Sequence, residues 1–274
     1  MATKTVARGS RKADLIPVRK IGDEDLRISL RQGLDDFLEM RGDILLAGLI
    51  YTLIGIAAVV MTTNQALMPY FIPVVAGVGL MGPVAAVGFY ELARRREKGD
   101  HANWNHFFDV VKRPAFDDVG VTAALLLLIF FVWLLAAGAL YAVLFGLATP
   151  TSVPQFLAMI FTTPRGWALI VAGGVIGAGF GWVVLALSVV SLPMLVDRDV
   201  SAADAVSASW RAAHANKAEL FRWGVVVTAL LVLGSIPLFV GLAFVLPWLG
   251  YATWHLYTRL IDRSAIPVKE RRAD

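Results

Sequence analysis

Three ionisable side chains stand where apolar runs give way to charged ones. They are Glu91 in GFYELARRREKGD, Asp197 in SLPMLVDRD and His255 in YATWHLYTRL. Carboxylate and imidazole groups that converge can pass a proton between them or hold a metal ion, so these residues form the candidate polar cluster of the chain. The same spacing supports a plainer reading. Glu91 has Arg94 and Arg95 one helical turn on, and Asp197, like its neighbour Asp199, lies near arginines, so each could be an ion-paired helix end.

Other chemistries find no footing in the sequence. No phosphate loop, dinucleotide fingerprint, HExxH zinc motif or GxSxG nucleophile motif occurs, so no catalytic residue and no metal ligand is assigned. The chain has no cysteine, which excludes thiolate nucleophiles, disulfides and iron–sulfur clusters. His101, His106 and His214 read as interface or surface residues, and a haem ligand would need a histidine deeper in an apolar run than His255. The expected cofactor set is therefore empty, and the reading leans away from an enzyme.

The elements that must position these groups are membrane helices. The chain has 274 residues, of which 58% are hydrophobic and 17% charged, and its mean hydropathy is +0.68, outside the range of soluble domains. About 20 apolar residues at 1.5 Å per residue cross a hydrocarbon core of roughly 30 Å. The uncharged runs 44–90, 119–164, 166–196 and 223–257 all reach that length. The first must fold back, at the polar stretch Thr62 to Pro69, and the last must too, with GSIP (Gly234 to Pro237) as its turn. In that case the fifth helix extends back through Leu220 and Arg222. The third crossing is expected over Val119 to Leu147 and the fourth over Trp167 to Val196.

Six crossings, arranged as three hairpins, put residues 1–43, 91–118, 197–222 and 259–274 on one side. These segments hold 9, 6, 4 and 5 Lys or Arg, 24 of the 25 in the chain, and all 21 Asp and Glu; only Arg165 falls opposite. Because excess Lys and Arg stays inside, both termini are expected in the cytoplasm. Residues 1–43 lack the apolar core of a signal peptide. Arg94, Arg95, Arg96 and Arg259 then mark the inner boundary, with the three consecutive arginines among lipid headgroups and Phe89 and Tyr90 in the aromatic belt.

Each hairpin is preceded by a charged segment with helical apolar spacing, at 28–43, 103–118 and 201–223. The first places Ile28, Leu30, Leu34, Phe37 and Leu38 on one face. The third has Ser201 as N-cap and places Ala205, Val206, Ser209, Trp210 and Ala213 together. Each could lie in the interface with its apolar face towards lipid. Laying Pro83 on Pro247 sets Glu91 opposite His255 and Arg95 opposite Arg259, which suggests an internal threefold repeat. Gly173, Gly177 and Gly181 have GxxxG spacing and are expected to pack helices, within the chain or against a partner. The expected organisation is a disordered tail over 1–27, a membrane domain over 28–262 and a short basic tail over 263–274.

Three longer stretches carry a family resemblance: MGPVAAVGFYELARRREKGD, SVVSLPMLVDRDVSAADAVSASWRAAHANKAELFRW and VLPWLGYATWHLYTRLID. Together they resemble bacterial integral membrane proteins grouped as a domain of unknown function, some members of which carry the label of a cytochrome c oxidase subunit. The resemblance implies a six-helix inner-membrane protein and brings no catalytic residue with it. The leading expectation is a non-enzymatic protein acting by helix packing with a membrane partner, such as a respiratory complex, or by organising membrane lipids, with oligomers open and nucleic acid not expected. A small-solute transporter or channel is the alternative, and a lipid-headgroup enzyme built on Glu91, Asp197 and His255 is the third.

Overall fold

The computed structural model describes residues 16–40, 82–100, 103–112, 116–146, 152–236 and 241–266. The described chain is helical, without a strand; its sole extended pairing is an antiparallel bridge between Val18 and Ile261. Most of the expected first hairpin, including the turn at Thr62 to Pro69, lies outside the described residues.

Helix α1 (Asp23–Glu39) opens with three acidic residues at its positive end, and α2 (Gly82–Ala85) leads through Ala86 into α3 (Val87–Glu97), which closes on Arg94, Arg95 and Arg96 at its negative end. A 3₁₀ helix (Trp104–Lys112) follows. Helix α4 (Phe116–Phe145) is apolar along nearly its whole length, and α5 (Val153–Thr162) and α6 (Pro164–Ser188) turn the chain back. Next come α7 (Ser191–Asp197), α8 (Ala202–Ala215), α9 (Lys217–Ser235), α10 (Leu242–Leu260) and a last 3₁₀ turn, Arg263–Ala265.

Among the described residues three helical stretches are long and apolar enough to cross a membrane: Phe116–Phe145, Pro164–Asp197 and Lys217–Ser235. They coincide with the expected third, fourth and fifth crossings, and α9 ends at the GSIP signal. The expected sixth crossing is α10, which does not reach that standard. It carries Pro247, His255 and Arg259, and protein rather than lipid surrounds much of it, since Tyr251, Ala252, Trp254, Leu256, Tyr257 and Leu260 are fully buried.

The turn between α4 and α6 is more structured than the expected loop. Ser152 caps α5 by accepting from the Gln155 amide at 3.4 Å, and Thr163 caps α6 by accepting from the Gly166 amide at 3.0 Å. Gly166 is required here, because a Cβ would overlap the Ile160 carbonyl. Phe156 and Ile160 bury themselves against Tyr141, Met159, Leu169 and Ile170 as a small separate core.

The long fourth stretch bends at Val189 and Val190. Pro193 has no amide to offer the carbonyl of Val189 one turn back, which breaks the ladder there. Ser209 of α8, wholly buried, accepts from the Val190 amide at 3.1 Å and so satisfies a group at the bend.

Two expectations about the amphipathic segments are corrected. Both α1 and α8 turn their buried faces to protein, not to lipid. Helix α1 makes its most extensive contact with α10, through a face of Leu26, Ser29, Gly33, Asp36 and Phe37, while Leu38 is 56% exposed. Helix α8 buries Ala205, Ala208, Ala212 and Ala213 against α6 and α7, and Trp210 points outward against His214.

The expected 1–27 tail also needs correction from residue 16 onward. The Arg19 amide donates to the Leu260 carbonyl at 2.8 Å, the Asp262 amide donates to the Pro17 carbonyl at 3.1 Å, and Ile16 and Ile21 join the main core. The backbone amides of an extended segment need partners when buried, and the end of α10 supplies them. Ile266, in the expected C-terminal tail, is likewise buried.

Candidate functional site

Successive residues on a helix point about 100° apart, so three consecutive arginines cannot share one direction. At the end of α3 each finds a different partner. Arg94 turns back on its own helix, its Nε and Nη2 donating to the two oxygens of Glu91 at 2.9 and 2.8 Å. Arg95 donates to Glu91 at 2.9 Å and to Asp109 of the first 3₁₀ helix at 2.7 Å. Arg96 reaches α1, pairing with Asp36 at 2.8 Å and with Glu39. The side chain of Glu91 is wholly buried, and two guanidinium groups compensate the cost of removing its charge from water.

His255, on α10, sits 2.8 Å through Nε2 from the other oxygen of Asp36. Asp36 thus joins three elements, with Arg96 of α3 on one oxygen and His255 of α10 on the other. Asp197, at the end of α7, accepts from the buried Tyr257 hydroxyl at 3.1 Å and from Arg198 Nε at 3.0 Å, and Arg263 lies 3.5 Å away. Glu97 takes both arms of Arg263 and the Trp254 indole N–H at 3.0 Å. Burial pushes the Glu97 carboxyl up, but the hydrogen bonds and charge of Arg263 outweigh it and hold the group below its ordinary value. Arg263 is raised in turn, because Glu97 offsets its desolvation.

The three candidate residues therefore occupy one layer, each in its own set of partners. Glu91 belongs with Arg94, Arg95 and Asp109; Asp197 with Tyr257, Arg198 and Arg263; and His255 with Asp36 and Arg96. Among the described residues no group of three His, Asp or Glu could hold a metal ion. Arg94, Arg95 and Arg96, expected among lipid headgroups, all engage carboxylates of the protein, and Phe89 and Tyr90, expected in the aromatic belt, are 1% exposed inside its core. Arg259 likewise engages protein, donating to Asp25 of α1 at 2.9 Å.

The layer draws on all four charged blocks of the sequence. Beyond the pairs already described, Asp118 accepts from the Ala202 amide at 3.0 Å, Arg222 pairs with Asp23, and Arg19 pairs with Asp262 at 3.2 Å. The signal that marks Asp36 in advance is faint but real: Ser29, Gly33 and Asp36 fall on one helical face, and small or polar residues at such spacing mark close approach. Glu97, Arg263 and Tyr257 carry no comparable local signal.

On α6, Gly173 and Gly177 face α4 loosely: a Cβ would stand 3.7 Å from Leu140 and 4.0 Å from the Trp133 indole nitrogen. A Cβ at Gly181 would meet nothing within 4 Å.

Between the ends of α3, α7 and α10 the layer opens into a cleft of about 250 Å³ lined by Arg94, Glu97, Lys98, Asp197, Arg198 and Arg263. Four of these six residues, Arg94, Glu97, Lys98 and Asp197, fall within the stretch that the family comparison covers. Residues 71–197 match the family model for a predicted integral membrane protein, DUF2189. The chain is an integral membrane protein with several membrane-capable helices. The DUF2189 match takes in α2 through α7, and so Glu91, the three arginines, the α6 glycines and Asp197, while His255 and Arg259 lie beyond it. No curated protein and no solved structure matches the chain.

Proposed function

We propose that the chain is a non-enzymatic protein of the bacterial inner membrane that works by packing its membrane helices against a membrane partner, such as a respiratory complex, or by organising the lipid around it. In this reading six crossings form three hairpins, and the ion-paired layer faces the cytoplasm with both termini. The observation that supports it is the state of the reactive groups. Glu91, Asp197 and His255 are each engaged by different side chains of the protein, by Arg94 and Arg95, by Tyr257 and Arg198, and by Asp36, an arrangement that fixes helix ends.

The helices meanwhile present apolar surface outward: Leu135, Val143 and Val175 are 74%, 83% and 70% exposed. Lipid or another helix must cover such faces, and the glycines of α6 permit close approach by a helix. Solubilisation of native membranes in mild detergent after photocrosslinking from α6 tests the reading. A reproducible crosslinked membrane partner, or a defined shell of bound lipid, is the expected result. A protein that crosslinks to nothing and exchanges all its lipid counts against it.

A further inference from the structure

The cleft between α3, α7 and the last 3₁₀ turn has a composition that ion pairing alone does not account for. Four cations, Arg94, Lys98, Arg198 and Arg263, line it against two carboxylates, Glu97 and Asp197. The lining therefore carries an excess of two positive charges, enough to balance inorganic phosphate or a phosphomonoester, at about −1.5 to −2 near neutral pH, and more than enough for the single negative charge of a phosphodiester headgroup. Glu91, which neutralises Arg94 from below, is shared with Arg95 and cannot cancel that excess by itself.

The guanidinium groups are already fixed. Arg198 is held by Asp197 and by the Ile266 carbonyl at 3.1 Å, Arg263 by Glu97, and Arg94 by both oxygens of Glu91. Their principal donors are spent on these partners, so they offer an anion fixed positive charge and their remaining N–H groups, at little further cost in ordering the guanidinium groups, and Lys98 is the cation that can close on it. The space is small. Pockets for drug-sized ligands begin at roughly 300 Å³, so a cavity of about 250 Å³ suits a single charged group better than an extended metabolite.

We propose that this cleft binds a phosphate group, carried either by the headgroup of an anionic lipid or by a small soluble anion. The site lies at the ends of membrane-embedded chain, where headgroup phosphates also lie. It does not depend on the helix-packing reading above, and either can fail without the other.

The test uses the full-length purified chain. Thermal unfolding in detergent is followed with inorganic phosphate against chloride at matched ionic strength. In parallel, native mass spectrometry follows retention of phosphatidylglycerol from nanodiscs that mix it with phosphatidylcholine. Lys98 is exposed at the helix end, so Lys98→Gln and Lys98→Glu keep the fold intact, and Arg198→Gln probes the fixed fork. Lys217→Gln, outside the cleft, is the control.

A soluble ligand predicts a saturable rise in melting temperature with phosphate, whose affinity falls about tenfold in Lys98→Gln and is abolished in Lys98→Glu. A headgroup ligand predicts little response to phosphate, with phosphatidylglycerol retained by the parent and the Lys217→Gln protein and lost from both Lys98 variants. Absence of saturable binding in both arms, or Lys98 variants that bind like the parent, overturns the proposal.

Discussion

Gly33 of α1 lies against the backbone of Ala252 on α10, so close that a Cβ at position 33 would stand 2.7 Å from the Ala252 Cβ. Two helices approach this tightly only where one lacks a side chain, and here the contact fixes the register that brings Asp36 to His255 and Arg96. Gly33→Ala should lower stability by about 1–3 kcal/mol through overpacking, and Gly33→Val by more. Thermal unfolding of the purified variants measures this. A Gly33→Ala protein as stable as the parent would contradict the close packing.

Glu91 accepts from three donors of Arg94 and Arg95 while wholly buried. Glu91→Gln removes the charge and leaves arginines short of a partner, which should cost about 3–5 kcal/mol, the range for breaking a buried pair. Arg95 keeps Asp109 and softens the loss. The account predicts a large fall in melting temperature for this variant. A Glu91→Gln protein with unchanged melting would mean the group is not paired in the folded state.

Asn216 stitches the N-terminal segment to the bundle. Its amide group accepts from the Ile21 N–H at 2.9 Å and donates to the Arg19 carbonyl at 3.0 Å, with almost no exposure to water. In Asn216→Ala buried backbone groups lose partners, at about 1–3 kcal/mol each. Residues 16–22 should then become sensitive to limited proteolysis while the apolar helices stay protected.

Acid should loosen the layer in a predictable direction. Glu97 has a folded pKa below its ordinary value of 4.5, so its stabilising contribution is present above that pH and disappears as pH falls through the lower folded value. Asp262 behaves alike, lowered first by the Ser264 hydroxyl and then by Arg19. The Glu97 side chain is 40% exposed, so solvent and salt screen the pair, and about 0.2–1 kcal/mol is expected from it. Arg263→Gln should lower stability near neutral pH, and the difference from the parent should shrink as pH falls below 4.5 through the lower folded value of Glu97. A difference that does not shrink with acid would place the effect elsewhere.

How much was legible in the sequence differed by element. The stretches Phe116–Phe145, Pro164–Asp197 and Lys217–Ser235 were readable because uncharged length is a strong signal, and Ser201 was readable because capping is local. The pairing of Glu91 with Arg94 and Arg95 followed from helical spacing alone. Partners distant in sequence were not readable: nothing near Arg96 points to Asp36, and nothing near Glu97 points to Arg263. Amphipathic spacing also did not tell lipid from protein, since α1 and α8 have the pattern of interfacial helices yet bury it against α10 and α7. Residues 16–22 read as tail because an extended strap has no periodicity; its order comes from Leu260, Asp262 and Asn216.

In the proposed topology the charged layer lies on the cytoplasmic side, and the apolar helices cross from it to a turn at Ser152. The chain has no cysteine, so single thiols report directly. Ser152→Cys, Lys98→Cys and Ser264→Cys, all at exposed positions, can be treated in intact cells with a membrane-impermeant maleimide, before and after permeabilisation. The account predicts that position 152 labels in intact cells and that positions 98 and 264 label only after the membrane is opened. Labelling of position 98 or 264 from outside, or of position 152 only from within, would contradict it.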